Sequence, residues 1–292
     1  GQMSTGHRWP FGPVVIIAPF NFPLEIPLLQ LMGALFMGNK VCLKADSKVA
    51  VVMEQTLRLL HHCGMPMEDV DFINSDGPVM HKLLMTAKPR MTQFTGSSKI
   101  AEMLARDLHG KIKIEDAGWD WKVLGPDVTE FEYVAHVSDQ DAYAYNGQKC
   151  SAQSALFVHK NWVEAGFLDK ITELAGKRNI ADVTSGPVLT VTNDRLLNHV
   201  EDLLTIPGAK LLFGGDLLAD TTIPACYGSF KPTAVQIPIC EFLKKGNFER
   251  CSTEIFGPFQ VVVQYEDNEV DLVLEALERT EAHLTGAIVS KD

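Results

Sequence analysis

Between residues 14 and 115, short β-branched runs alternate with longer amphipathic stretches, a pattern that predicts a mainly parallel sheet covered by helices. Residues 14–18, 41–44, 70–73, 91–95 and 111–115 read as strands. A helix is expected over 24–37, with Pro27 tolerated only in its first turn. The next helix follows 41–44, where Asp46 or Ser47 can cap it. Its apolar positions Val49, Val52, Met53, Leu57 and Leu60 share one face, and Gly64 and Pro66 stop it. Gly96-Ser97-Ser98 closes a strand and opens a helix running to about Leu108. Such a turn can present backbone N–H groups and the positive end of a helix dipole to a phosphate.

The pattern changes after Gly118, where Trp119, Trp121 and a Gly125-Pro126 turn follow in quick succession. Helix-like stretches at 160–175 and 194–204, with strands near 210–213 and 259–264, predict a second α/β domain. The expected division is 1–117 and 118–292, and there is no internal repeat.

With 292 residues, 46% of them hydrophobic and 22% charged, the chain can bury a substantial core. The stretch 26–37 carries Gln30 and Gly33 and falls short of the roughly 20 apolar residues a bilayer crossing needs, so no membrane span is expected. A net charge of -11 opposes a phosphate backbone, so no nucleic-acid partner is expected. The six cysteines contain no C-x-x-C pair, and the adjacent His61 and His62 sit where a helix end would use them on its carbonyls. No metal site is expected.

Asn146-Gly147-Gln148-Lys149-Cys150-Ser151 sets a thiol beside a flexible glycine and a cation, an environment that favours thiolate and leaves the sulfur approachable. Taken alone, Cys150 fits a small packing residue as well as a nucleophile. Asn21, between Pro19 and Pro23, fits an ordinary turn. Ala18-Pro19-Phe20-Asn21-Phe22-Pro23, Phe94-Thr95-Gly96-Ser97-Ser98, Gly147-Gln148-Lys149-Cys150 and Glu254-Ile255-Phe256-Gly257-Pro258-Phe259 stand in this order along the chain. Together, in order and spacing, they resemble the successive signatures of the aldehyde dehydrogenase superfamily.

The resemblance implies a Rossmann-like parallel-sheet cofactor domain over 1–117 and a second α/β domain carrying the catalytic thiol over 118–292, both incomplete. It implies that Cys150 is the nucleophile and that Asn21 donates its amide to the oxyanion beside the backbone N–H of Cys150. Glu115 stands where the family has Glu-Leu-Gly-Gly-Lys, but its neighbours here are Asp116-Ala117-Gly118-Trp119. By resemblance it is the base that activates the deacylating water; read by itself, it is a strand-end carboxylate. Ala18, Pro19, Phe20 and Thr95 fall in the cofactor motifs. Lys44 is implied on the adenine ribose, Gly96 and Ser97 near the pyrophosphate, Glu254 on the nicotinamide ribose and Phe256 against the nicotinamide. Asp46 or Ser47 stands near the position where an acid would repel a 2′-phosphate, so NAD is the expected cofactor, with NADP still open.

The runs 115–122, 139–144 and 231–235 look like the plant-type pyrroline-carboxylate dehydrogenases, a group that oxidises glutamate semialdehyde to glutamate in proline breakdown. Ser151 matches a serine that holds the substrate carboxylate in enzymes of that activity. The resemblance further implies a homo-oligomer, a mitochondrial matrix location, and a longer parent protein supplying an oligomerisation arm and a carboxylate-anchoring loop. Two rivals stand beside it: the same scaffold without catalysis, and an enzyme in which coenzyme A, rather than water, releases the acyl group.

Overall fold

The computed structural model describes residues 2–116, 118–219 and 221–291. The chain divides into two compact units, Gly1–Asp116 and Ala117–Asp292.

In the first unit the strands are β1 (Pro13–Ile17), β2 (Lys40–Lys44), β3 (Val70–Ile73), β4 (Met91–Thr95) and β5 (Ile112–Glu115). They are separated by α1 (Glu25–Phe36), α2 (Ala50–His62), α3 (Gly77–Ala87) and α4 (Ser98–Asp107). All neighbours pair in parallel in the order β3-β2-β1-β4-β5. Alternation along β1 explains how the sheet is covered on both faces. Val14 and Ile16 pack with Leu31, Met53 and Leu57 of α1 and α2, whereas Val15 packs with Met80, Leu84, Ala101 and Leu104 of α3 and α4.

Pro27 is the third residue of α1, where its missing N–H would have no partner inside the helix. Gly38, at φ +80°, ends that helix, with its N–H on Leu35 O at 2.8 Å. The expected cap of α2 is not formed. Asp46 Oδ1 accepts the N–H of Lys48 at 2.9 Å, closing a tight turn one step early, and Val49 becomes the residue before the helix. His61 Nδ1 lies 3.0 Å from Met65 O at the far end of α2.

The second unit contains β6 (Asp120–Leu124), α5 (Phe131–Tyr143), β7 (Gln153–His159), α6 (Lys160–Glu164), α7 (Phe167–Gly176), α8 (Asn193–Leu204) and β8 (Lys210–Phe213). After these come β9 (Thr233–Gln236), α9 (Ile239–Phe242), α10 (Asn247–Cys251), β10 (Phe259–Tyr265), α11 (Val270–Glu278) and β11 (Gly286–Val289). The sheet order is β11-β6-β7-β10-β9-β8, parallel throughout except for the antiparallel edge strand β8. Phe157, Val261 and Val263 face one core, with Leu196, Leu203 and Phe242. Leu156, Val158 and Val262 face the other, with Val134, Trp162 and Ile171. The helix expected over 160–175 is two helices, α6 and α7. Gly166 separates them at φ +89°, a backbone state that an α-helix cannot pass through.

Candidate active site

Parallel strands end on the same side of a sheet, so the first unit gathers several of the singled-out residues along one edge. Ile17 lies opposite Lys44 in β2 and opposite Phe94 in β4, and Thr95 lies opposite Glu115 in β5. The segments leaving β1 and β4 are therefore neighbours at the point where the strand order reverses, the usual place for a ligand in an open α/β sheet. Ala18 extends the ladder by donating its N–H to Lys44 O at 3.0 Å. Beyond it Phe20 and Asn21 are buried, Pro19 is half-buried, and Lys48 Nζ stands 5.6 Å from the centre of the Phe20 ring.

Lys44 is half-buried, and burial pulls its ammonium pKa below the ordinary lysine value, with Asp46 opposing that shift. Thr95 is buried and its Oγ1 accepts from Gln30 Nε2 at 3.2 Å. Gly96 gives its N–H to Glu115 O at 3.1 Å, and a Cβ there would come within 2.7 Å of the Phe94 ring. The absence of a side chain keeps the strand-to-helix turn low over that ring. Ser97 is exposed, precedes α4 in an extended conformation, and makes no side-chain cap bond to the helix. Glu115, the last residue of β5, is half-buried. A glycine turn, a helix start and a strand-end lysine on one sheet edge suit a dinucleotide in donor chemistry and in backbone approach.

In the second unit, α5 runs into a single 3-10 turn, Ala144–Gly147, in which Tyr145 (φ 57°), Asn146 (φ 54°) and Gly147 (φ 64°) are all left-handed. The two non-glycine residues cost on the order of 1–3 kcal/mol each in this state, so the surroundings must over-determine it. Asn146 supplies two of the restraints: its Nδ2 donates to Gly186 O, and its Oδ1 accepts the N–H of Gly186 at 3.2 Å. Gln148 supplies two more, taking the N–H of Leu189 on Oε1 at 2.7 Å and giving Nε2 to Pro187 O at 3.0 Å. A Cβ on Gly147 would lie 2.1 Å from Gly257 O, so the backbones at 147 and 257 are in direct contact.

Cys150 is half-buried on the turn that leads into β7, and Ala152 N closes that turn onto Lys149 O at 3.0 Å. Lys149 is half-buried too, with Nζ on Gln140 O at 3.2 Å. Burial lowers its pKa, while Asp141 and Cys150 pull it back up. Gly118 sits at the centre of this arrangement. A Cβ there would lie 2.1 Å from the carbonyl oxygen of Cys150 and 3.4 Å from Glu254 Oε1, so the backbone of Cys150 and the carboxylate of Glu254 share one small patch. A small cleft is lined by Gly147, Lys149, Gln153, Glu254, Phe256 and Gly257, among others. Phe256 is left-handed at φ 54°, and its carbonyl accepts from Thr190 Oγ1 at 2.9 Å. Ser151, next to Cys150, is exposed.

Asn146, Gln148, Gly118 and Thr190 had no assigned role in the sequence reading. Only Asn146-Gly147, a common turn pair, and Gln148, inside the Gly147-Gln148-Lys149-Cys150 signature, carried a local signal, because the partners of all four residues are distant in the chain. Among the described residues no group of three or more His, Cys, Asp or Glu could hold a metal ion, and no helix is long and apolar enough to cross a membrane.

Comparison with known proteins bears on the whole chain. The family model described as "Aldehyde dehydrogenase family" matches residues 1–292. A probable aldehyde dehydrogenase of Linum usitatissimum is 63% identical over 292 residues, covering 100% of this chain and 53% of the relative. The Arabidopsis thaliana protein named delta-1-pyrroline-5-carboxylate dehydrogenase 12A1, mitochondrial, is also 63% identical, again covering 100% of this chain and 53% of the relative. A crystal structure of a mutant Proline Utilization A from Bradyrhizobium japonicum superposes with a TM-score of 0.83 at 27% identity, over 96% of this chain and 28% of that one. The chain thus spans about half the length of the curated relatives it matches.

Proposed function

The chain belongs to the aldehyde dehydrogenase family, and from that premise we propose that it carries the thiol chemistry of an NAD-dependent oxidation of glutamate semialdehyde to glutamate. The thiolate of Cys150 adds to the aldehyde carbon, and the carbonyl oxygen becomes an oxyanion. The Asn21 amide and the backbone N–H of Cys150 donate to that oxygen as its charge develops. NAD, when bound, supplies the acceptor for the hydride that leaves the same carbon. Cys150 is then held as a thioester. Glu115 takes a proton from a water, the hydroxide attacks the acyl carbon, and the thiolate is expelled as the carboxylate product forms.

In the same reading Lys44 holds the adenine ribose, and Ala18, Pro19, Phe20, Thr95, Gly96 and Ser97 form the bed of the dinucleotide. Glu254 and Phe256 hold the nicotinamide ribose and ring. Ser151, exposed beside the nucleophile, offers a hydroxyl to the substrate's distal carboxylate. The substrate assignment draws on the 63% identity to the Arabidopsis protein, whose name also motivates a mitochondrial location. A homo-oligomer built by the whole protein belongs to the same proposal.

The observation that carries the reading is the contact at Gly118, which brings the backbone of Cys150 and the carboxylate of Glu254 together from positions 104 residues apart in sequence. NADH formation by the natural protein that contains this chain tests it, with a panel of aldehydes and with Cys150→Ala. Glutamate semialdehyde should be turned over faster than short aliphatic aldehydes, and Cys150→Ala should lose turnover at least a thousandfold, about 4 kcal/mol of barrier. Turnover that survives in Cys150→Ala rejects the mechanism. A strict requirement for coenzyme A replaces Glu115-activated water with thiol release.

A further inference from the structure

We propose that Asn146 and Gln148 are positioning residues, which aim the Cys150 turn by clamping it to the backbone of residues 186–189. The proposal rests on the reading of Cys150 as the nucleophile. Four hydrogen bonds carry it. Asn146 pairs with both the N–H and the carbonyl of Gly186, as a neighbouring strand would, and Gln148 takes the N–H of Leu189 while giving its own to Pro187 O. Both side chains are buried, with 4% and 2% of their surface exposed, so solvent offers no substitute for these partners.

The clamped backbone is the left-handed run 145–147, three consecutive residues in a state that Asn and Gly adopt singly and Tyr rarely adopts at all. That run also sets the approach of Gly147 to Gly257, and through it the segment bearing Glu254 and Phe256. The far side of the clamp is itself anchored. Val188 exchanges backbone hydrogen bonds with Gly228 at 2.8 and 2.9 Å, and Arg178, buried against Asp139, gives Nη1 to Thr184 O at 3.3 Å. A loop that only covered the surface would need none of this. Rotating the 145–147 run by a few degrees would re-aim the Cys150 sulfur at the carbon it attacks, and such misplacement lowers turnover without weakening ground-state binding.

Asn146→Gly and Gln148→Glu separate the clamp from the fold. Glycine accepts the left-handed state but cannot hold Gly186, and glutamate keeps the acceptor for Leu189 while losing the donor to Pro187. In the natural protein that contains this chain, each variant should lower kcat tenfold or more and leave KM for NAD within twofold. Iodoacetamide labelling should show Cys251, which is buried, still protected relative to the exposed Cys63. A kcat within twofold of the parent with Cys251 protected overturns the proposal. Cys251 labelled as fast as Cys63 in both variants also overturns it, since the clamp would then be a folding element. Cys150→Ser run in parallel distinguishes the two claims. Turnover surviving there removes the nucleophile, whereas turnover lost there but intact in both clamp variants removes only the clamp.

Discussion

His199, on the inner side of α8, shows how burial turns one residue into a pH-dependent weakness. Its ring lies edge-on to Phe259, with centroids 5.0 Å apart, and Nε2 has no hydrogen-bond partner among the described residues. Burial pushes its pKa down to about 4; Asp202 opposes the shift, and Arg195 and Arg250 add to it. An unfolded histidine titrates near 6.5, so between that pH and about 4 the unfolded chain binds a proton that the folded chain refuses. The stability His199 permits is thus complete above about pH 6.5 and is lost as the pH falls toward 4. Urea unfolding followed by tryptophan fluorescence should show a midpoint that drops across this window in the parent and drops less in His199→Phe. Parallel curves for the two proteins would reject the argument.

Buried charge within a helix is the feature of α5. Asp139 and Arg178 pair at 2.6 Å with only 4% and 6% of their side chains exposed, and Lys122, equally buried, bonds Asp141 at 2.6 Å and Ser138 at 3.3 Å. Removing one member of such a pair leaves an uncompensated charge, whereas replacing both with apolar residues can be close to neutral. Arg178→Met should therefore destabilise the protein by about 3–5 kcal/mol, and adding Asp139→Leu should recover most of the loss. Chemical denaturation of the single and double variants measures this, and a single variant within about 1 kcal/mol of the parent would contradict it. The same residues explain why α5 was not legible in the sequence. Ser138 and Asp139 stand where an amphipathic helix should be apolar, and only their distant partners make those positions tolerable. The split at Gly166 was hidden for the opposite reason, because apolar spacing continues across the break with Trp162, Phe167 and Ile171 all buried.

At the scale of the molecule, each unit has its own cores, and each holds a thiol whose reactivity is lowered by its surroundings. Cys42 lies in the first unit with its pKa raised by burial to about 11. Cys251 lies in the second with its pKa raised to about 12, again by burial. Cys251 is buried and unreactive until its surroundings open, whereas Cys42 is half-buried, and its raised pKa slows its labelling without making all of it wait on opening. The proposed contacts to adenine and pyrophosphate, Lys44, Gly96 and Ser97, belong to the first unit. NAD at about a hundred times its Kd should therefore slow, by up to roughly a hundredfold, the part of Cys42 labelling that passes through opening of the first unit, and slow that of Cys251 by less. Pulsed alkylation with mass-spectrometric readout measures both rates in one sample. Equal protection of the two thiols, or none, would show that NAD does not bind through that edge.

The sequence by itself determined the alternation of strand and helix in 14–115, the α/β class, and the ordered motifs that identify the family, since apolar period and turn chemistry are local properties that survive without a partner. It did not determine which strands are neighbours: the order β3-β2-β1-β4-β5, and with it the meeting of the segments after β1 and β4, depends on pairings between residues far apart in the chain. The left-handed run at 145–147, its clamp on 186–189, and the approach of Cys150 and Glu254 around Gly118 were likewise decided by tertiary structure alone. A strained backbone and a missing Cβ acquire meaning only from the atoms packed against them, and those atoms lie dozens of residues away.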